Sequence, residues 1–246
     1  MCGVRFFMKV KCLCVIALGC MAALTPCAAL ASDRSGPVVE VGWFTVNQGK
    51  SQHVGIDGLI GDDFSVSKSS DQNFLLGLGY YFNGLSKEKV SLLYGLNAFY
   101  LAPTKVSGKV TQEGLFTNLS YEYSRTNYPI YAEAKALIHC SSRSDISMNL
   151  GIGPNIVSSG SFKEKSLDGG VTIPDSDLFS RKNVVSCSAT AGLGWRIAAL
   201  KYLSFEIAYR FFYLGEGELK KANDQVKNNL STGNSYANAL IFSISM

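Results

Sequence analysis

The chain has 246 residues, a formal net charge of +4 and 47% hydrophobic residues. No cluster of basic residues marks a face for nucleic acid, so nucleic acid is excluded as an expected partner. Five of the seven cysteines precede Ala31, which leaves Cys140 and Cys187 and excludes a disulfide scaffold.

The first 31 residues differ from everything that follows. They begin with three basic residues, Arg5, Lys9 and Lys11. An apolar run over residues 12–24 comes next, too short for a helix that spans a membrane. Ala29-Leu30-Ala31 then forms an A-x-A cleavage pattern. The segment predicts a cleaved secretory signal peptide over residues 1–31 and a mature domain over residues 32–246.

The signal segment also permits a lipoprotein, acylated at Cys20 or Cys27. Pro26 before Cys27 and the short apolar run before Cys20 disfavour this alternative. No later stretch reaches 18 apolar residues, so no transmembrane helix is expected. Two classes remain for the mature chain: a soluble β protein and a membrane β-barrel.

Apolar residues alternate with small or polar residues in segments of about ten, separated by turn residues. In residues 73–83, for example, Phe74 and Leu76 share one face, and Gly77 and Gly79 lie on the other. The segments are 38–46, 53–66, 73–83, 90–101, 114–124, 129–139, 146–156, 184–197, 203–214 and 235–246.

The second face of these segments favours a membrane barrel over a soluble sandwich. It carries glycine, serine, asparagine and a few charges, which suit a narrow lumen filled by small side chains. The apolar face would then meet lipid, with aromatic residues toward its borders: Trp43, Tyr80, Phe82, Tyr100, Tyr121, Tyr123, Trp195, Tyr209 and Tyr213. Hydrocarbon does not tolerate open backbone edges, so the sheet must close.

The fold expected is all-β, a transmembrane antiparallel barrel of about ten strands with both termini in the periplasm. Eight strands is the alternative, if residues 53–66 belong to an outer loop. In the ten-strand arrangement residues 102–113 form a periplasmic turn. The outer loops are then residues 47–52, 83–89, 125–128, 158–183 and 215–234.

The end of the chain resembles a known family. Alternate positions up to the C-terminus resemble the signal that the outer-membrane barrel assembly machinery reads: Tyr236, Asn238, Leu240, Phe242, Ile244 and Met246. The family usually ends in Phe, where this chain has Met246. Residues 203–215 are similar to the penultimate strand of opacity-type and OmpA-like porin-family barrels, and residues 189–195 are similar to the strand before it. The resemblance implies a small barrel at the surface of a Gram-negative outer membrane, without a cofactor, that contacts outer-membrane lipid and the assembly machinery.

Charged residues at inward positions form a candidate site inside the barrel. They are Glu40, Glu133, Lys135, Arg196, Glu206 and Arg210. They could act as a charged plug or gate, or they could be compensated pairs that only fill the lumen. Pairing is expected in both cases, because an unpaired charge with little water around it is costly.

Few residues suit catalysis or metal binding. The segment 53–66 places His53 far from Asp62 and Asp63, and His139 has no evident nucleophile beside it, so neither an enzyme nor a metal site is expected. Cys140 and Cys187 are expected as thiols near opposite ends of the barrel.

The outer loops favour a surface-exposed structural or interaction role, with a host or surface ligand as a possible partner, because binding residues concentrate on loops above rigid scaffolds. A narrow channel for ions or small polar solutes is the main alternative. A soluble periplasmic β protein is the third.

Overall fold

The computed structural model describes residues 35–141, 143–200 and 203–246. The predicted signal peptide, residues 1–31, lies outside the described residues. The strands are β1 (Gly36–Asn47), β2 (Gln52–Val54), β3 (Asp62–Lys68), β4 (Ser70–Lys87), β5 (Val90–Gln112), β6 (Phe116–Ser141), β7 (Ser144–Ser166), β8 (Phe179–Ser180), β9 (Lys182–Leu200), β10 (Leu203–Lys221) and β11 (Leu230–Ser245).

Eight long strands form a closed antiparallel ring in the order β1, β4, β5, β6, β7, β9, β10, β11. The last strand returns to the first: Val38 pairs with Ser245 and Trp43 with Leu240. Closure leaves the ring without an open edge. The all-β barrel predicted from the sequence is confirmed. The ring has eight strands, the alternative to the expected count of about ten.

Two features explain the difference between ten segments and eight ring strands. β6 continues through residues 125–128, which the sequence analysis had placed in a loop. Residues 53–66 form a hairpin of β2 and β3 instead of a ring strand, and β3 pairs with residues 107–112 at the end of β5. Tyr121 and Tyr123 were expected on the outer face but are buried inside, because β6 keeps the parity that points Tyr131 inward.

The two ends of the barrel differ. At the short-turn end β4, β6 and β9 end, β5, β7 and β10 each begin three positions later in the chain, and both ends of the described chain lie there. The long-loop end has the connections over residues 48–69, 113–115, 167–181 and 222–229. Residues 83–89, expected in an outer loop, lie at the short-turn end instead. Residues 102–113, expected as a turn, mostly extend β5 toward the long-loop end.

A tight turn allows β5 and β6 to reach far beyond their neighbours. Glu113 and Gly114 both have positive φ, 53° and 68°. This backbone matches the type I′ turn, whose twist suits antiparallel hairpins and which favours glycine. The turn sits at the tip of the hairpin that closes the long-loop end.

Outward positions of the ring strands form an apolar band. Trp43 and Trp195 are more than half exposed to the outside of the barrel, and the C-terminal residues Leu240 and Phe242 continue the band. Among the described residues no helix is long and apolar enough to cross a membrane. Cys140 and Cys187 are thiols, with Cys140 exposed at the short-turn end and Cys187 nearer the long-loop end on β9.

The interior is filled in layers. An apolar layer at the short-turn end consists of Val38, Tyr81, Leu93 and Leu137. A central apolar layer includes Phe44, Phe99, Tyr131 and Phe212. A third layer fills the long-loop end, where β2, β3, β8 and the loops cover the ring, and includes Phe64, Tyr121, Phe162 and Phe179.

The outer band predicts how the two tryptophans respond to quenchers. In vesicles of acyl-chain-brominated phospholipid, we expect strong quenching of both Trp43 and Trp195, because their outward side chains would contact acyl chains. Aqueous iodide should have little effect. The variants Trp43→Phe and Trp195→Phe separate the two signals. Quenching by iodide without quenching by bromolipid would show that water covers this face.

Candidate functional site

Five charged side chains form the central ion cluster, between the apolar layer at the short-turn end and the central apolar layer. They are Glu40 on β1, Glu133 and Lys135 on β6, and Glu206 and Arg210 on β10. All five are buried, and Arg210 is only 1% exposed. The ring brings them together because all five occupy inward positions on strands whose inner faces meet across the narrow lumen.

Arg210 joins two carboxylates on opposite walls. Its Nη1 lies 2.8 Å from Glu133 Oε1, and its Nη2 lies 3.5 Å from Glu40 Oε1. The guanidinium carbon lies 5.0 Å from the centre of the Phe99 ring, in cation–π range. Arg210 therefore ties β1, β5 and β6 to β10 across the lumen.

Glu133 is held by neutral donors as well as by Arg210. Its Oε2 accepts hydrogen bonds from the Tyr81 hydroxyl at 2.6 Å and from Asn97 Nδ2 at 2.8 Å. Sequence reasoning had not singled out Tyr81 or Asn97. Their inward parity on β4 and β5 was the available signal, but their polarity alone did not reveal that they converge on Glu133.

A second ion pair completes the cluster. Lys135 pairs with Glu206, whose other oxygen accepts a hydrogen bond of 2.7 Å from Ser147. The Lys135 ammonium also lies 5.2 Å from the centre of the Tyr81 ring. Lys135 thus links the apolar layer at the short-turn end to the ion pair.

Glycines on the inner face make room for these side chains. A Cβ at Gly79 would lie 1.4 Å from Asn97 Oδ1, and one at Gly194 would lie 2.9 Å from Glu206 Oε1. Larger residues there would displace the polar groups of the cluster. The glycine-rich face in the sequence therefore corresponds to the space that buried polar side chains occupy.

The charges of the central ion cluster do not cancel by formal count. Three carboxyl groups face two cations, and within the described residues Glu40 Oε2 has no hydrogen-bond partner. Arg210 is the cation that contacts two of the three carboxyl groups. Its removal would leave both of them without their cationic partner in a buried site.

Arg196 lies outside the cluster with which the sequence analysis grouped it. It sits at the short-turn end, where its Nη2 donates to Ser204 Oγ at 2.8 Å and its Nη1 lies 3.8 Å from Asp145 Oδ2. In the strand register Arg196 is opposite Glu206, but Glu206 pairs with Lys135. Asp145 was not among the predicted site residues.

Both expectations about the histidines are wrong. His53 Nδ1 lies 2.8 Å from Asp63 Oδ1, because β2 and β3 form a hairpin that pairs these two residues. The hydrogen bond with Asp63 raises the pKa of His53. His139 has both a hydroxyl and a carboxylate beside it, Ser91 Oγ at 3.0 Å and Asp145 Oδ1 at 2.6 Å.

Arg125 is a buried cation that sequence reasoning missed, because it was assigned to a loop. It is fully buried on β6, and its hydrogen bonds go to neutral oxygens, including Ser235 Oγ at 2.5 Å and the Gly215 carbonyl at 3.0 Å. Residues 124–127 are all polar, so no apolar–polar alternation in the sequence marks this part of the strand. Through these hydrogen bonds Arg125 holds β10 and β11 against β6.

A buried carboxyl group anchors the loop over residues 167–178. Glu164 Oε2 accepts a hydrogen bond of 3.0 Å from the backbone N–H of Asp175. Burial is the main cause that raises the pKa of Glu164 to about 7, and burial also raises the pKa of nearby Asp62. The long-loop end therefore contains a group that titrates near neutral pH.

The comparisons with known proteins concern the fold alone. No protein-family model and no curated protein matches this chain. The outer membrane protease OmpT from Escherichia coli matches 88% of this chain and 98% of its own, with 8% identity and a TM-score of 0.50. OprG from Pseudomonas aeruginosa matches 87% and 98%, with 15% identity and a TM-score of 0.49. Neisserial surface protein A matches 87% and 97%, with 12% identity and a TM-score of 0.41. The chain thus has the fold of outer-membrane β-barrels.

Substitution of Arg210 tests the energetic role of the cluster. Arg210→Met should lower the free energy of unfolding by about 3–5 kcal/mol, because Glu40 and Glu133 lose their buried partner. Urea unfolding in phospholipid vesicles measures the loss. Lys105→Met is the matched control, since Lys105 pairs with Glu122 in an exposed site and its loss should change the free energy of unfolding far less than the loss of Arg210.

The double variant Glu133→Gln/Arg210→Met separates unpaired charge from lost packing. The double variant should recover part of the lost stability, because Glu133, one of the two carboxylates that lose their cationic partner, is replaced by a neutral amide. Equal stability of Arg210→Met and the wild type would contradict the account of the cluster.

The raised pKa of Glu164 predicts a pH-dependent loop. At pH values below the ordinary pKa of Glu164, the protonated side chain stabilises the folded loop. This stabilisation is lost as the pH rises to about 7. Hydrogen-exchange protection factors over residues 167–178 should therefore be higher at pH 5 than at pH 8. Glu164→Gln should keep the higher protection at both values. An unchanged pH dependence in Glu164→Gln would assign the effect to another group, with Asp62 the first to examine.

Proposed function

We propose that this chain is a surface-exposed outer-membrane β-barrel with an interaction role, and that its partners bind the long-loop end without passing through the lumen. The observation that carries the proposal is the filled interior. Three apolar layers and the central ion cluster occupy the barrel from one end to the other. A scaffold of this kind supports loops but offers little space for a solute.

The size of an interior cavity supports the closed lumen. A cavity of about 20 Å³ lies at the short-turn end, and its lining includes Tyr81, Lys135, Arg196 and Glu206. This volume accommodates about one water molecule. Above it, Arg210 and the Phe99, Tyr131 and Phe212 rings fill the section.

The long-loop end offers the surface for a partner. Large apolar side chains are exposed at the tips of three loops: Leu59, Ile60, Leu115, Phe116, Leu167, Val171 and Ile173. Hydrogen bonds connect the tips, since Ile60 N–H donates to Glu113 at 2.9 Å and Asn118 donates to Thr172 at 2.9 Å. Exposed apolar patches of this kind often mark interaction sites, which suits a host or surface ligand.

The membrane setting of the proposal comes from the outer band. Apolar side chains cover the outside of a closed ring, which suits outer-membrane lipid. The alternating C-terminal residues point outward on β11, where they are available to the barrel assembly machinery. On this proposal the short-turn end faces the periplasm of a Gram-negative bacterium, and membership of the opacity-type or OmpA-like group stays a prediction.

The alternatives make different demands on the structure. A narrow ion channel needs a path past Arg210, and a gate there would have to break its contacts with Glu40 and Glu133. A soluble periplasmic protein would leave the outer apolar band in water. OmpT is named as a protease, but at 8% identity its activity does not extend to this chain.

Surface labelling and conductance together test the proposal. In a Cys140→Ser/Cys187→Ser background, Val171→Cys on intact cells should react with a membrane-impermeant maleimide, because Val171 is 84% exposed at the long-loop end. Arg143→Cys, at the short-turn end, is the matched control and should react only after the cells are opened. The purified wild type should give no stepwise currents in planar bilayers.

Two results would contradict the proposal. Labelling of Arg143→Cys but not Val171→Cys on intact cells would reverse the orientation. Stepwise currents in the wild type that change in size or selectivity in Arg210→Met would favour the channel.

A further inference from the structure

Three residues at the short-turn end have the arrangement of a hydrolytic relay. Ser91 Oγ lies 3.0 Å from His139 Nε2, and His139 Nδ1 lies 2.6 Å from Asp145 Oδ1. The two ring nitrogens thus face a hydroxyl on one side and a carboxylate on the other. In serine hydrolases the nitrogen that takes the serine proton is also Nε2, with the carboxylate on Nδ1.

The strand register holds the three residues together. Ser91 lies near the start of β5, His139 near the end of β6 and Asp145 near the start of β7, so they come from three neighbouring strands. The His139 N–H donates to the Lys89 carbonyl at 2.9 Å, and His139 pairs with Asp145 across the β6–β7 hairpin. Sites built on strands hold their geometry better than sites built on loops.

Two further side chains support the relay. The Ser86 hydroxyl lies 3.0 Å from Ser91 Oγ, close enough to donate to it while Ser91 donates to His139. Arg196 Nη1 lies 3.8 Å from the second oxygen of Asp145 and so forms an ion pair with the carboxylate on the side away from His139. The aspartate can therefore fix the tautomer and orientation of the His139 ring.

We propose that Ser91, His139 and Asp145 form a nucleophilic site that hydrolyses small carboxylic esters entering from the short-turn end. This activity is separate from the interaction role proposed for the long-loop end. The size of the substrate follows from access. Ser91 is only 4% exposed and the His139 side chain only 17%, so only a slender group can reach the Ser91 hydroxyl.

The chemistry needs no cofactor. Ser91 Oγ bonds to the ester carbonyl carbon while its proton moves to His139 Nε2, and Asp145 stabilises the resulting imidazolium. The tetrahedral adduct collapses with cleavage of the bond to the alcohol oxygen, which takes the proton from His139. Water then attacks the acyl-Ser91 with His139 as the base. The carboxylic acid leaves and Ser91 regains its proton.

The test uses the mature chain, folded into detergent micelles, with a fluorophosphonate probe and p-nitrophenyl acetate. We expect stoichiometric labelling of Ser91, identified by peptide mass, and release of p-nitrophenolate. Labelling requires a proton acceptor, so it should be lost in Ser91→Ala and fall at least tenfold in His139→Gln. Asp145→Asn should lower the rate as well and shift its pH profile.

Controls separate chemistry from folding. Ser245→Ala changes another serine at the same end of the barrel, on β11, and should label like the wild type. The gel shift between heated and unheated samples reports whether each variant is a folded barrel. The proposal is overturned if folded wild type leaves Ser91 unlabelled, or if labelling of Ser91 persists unchanged in folded His139→Gln. Either result leaves the proposed interaction role intact, because that role depends on the other end.

Discussion

Closure of the ring by pairing of β11 with β1 is the constraint on which the rest of this structure depends. It gives the backbone of every ring strand two hydrogen-bonded neighbours, and it assigns each residue to the inside or the outside of the barrel. The inside is narrow, so glycines such as Gly79 and Gly194 alternate with the side chains that fill it. Large apolar residues occupy the outside, where the account places lipid, and not another part of the chain, against them.

The two ends of the barrel carry different chemistry within this one frame. At the short-turn end Ser91, His139, Asp145 and Arg196 are linked by hydrogen bonds and ion pairs. Above them Arg210 holds carboxylates from two walls, which stiffens the section and fills it. At the long-loop end an apolar layer takes over, so the loops rest on packed aromatic rings and present their apolar tips outward.

Alternation in the sequence predicted the barrel and the inward positions of Glu133 and Arg210, because parity is a local property of a strand. The prediction failed where the inward face of one strand changes from polar to apolar residues along its length. Tyr121 and Tyr123 are as apolar as lipid-facing residues, yet they belong to the packed interior above Arg125. The pairing of His139 with Ser91 was also out of reach, since it depends on the register between strands that a single sequence does not specify.

The claim beneath this account is that lipid covers the outer band, and cell fractionation tests it most directly. The protein should sediment with the outer membrane after cells are broken, resist extraction by alkaline carbonate, and require detergent for release. Recovery of folded protein in the soluble fraction without detergent would contradict the account.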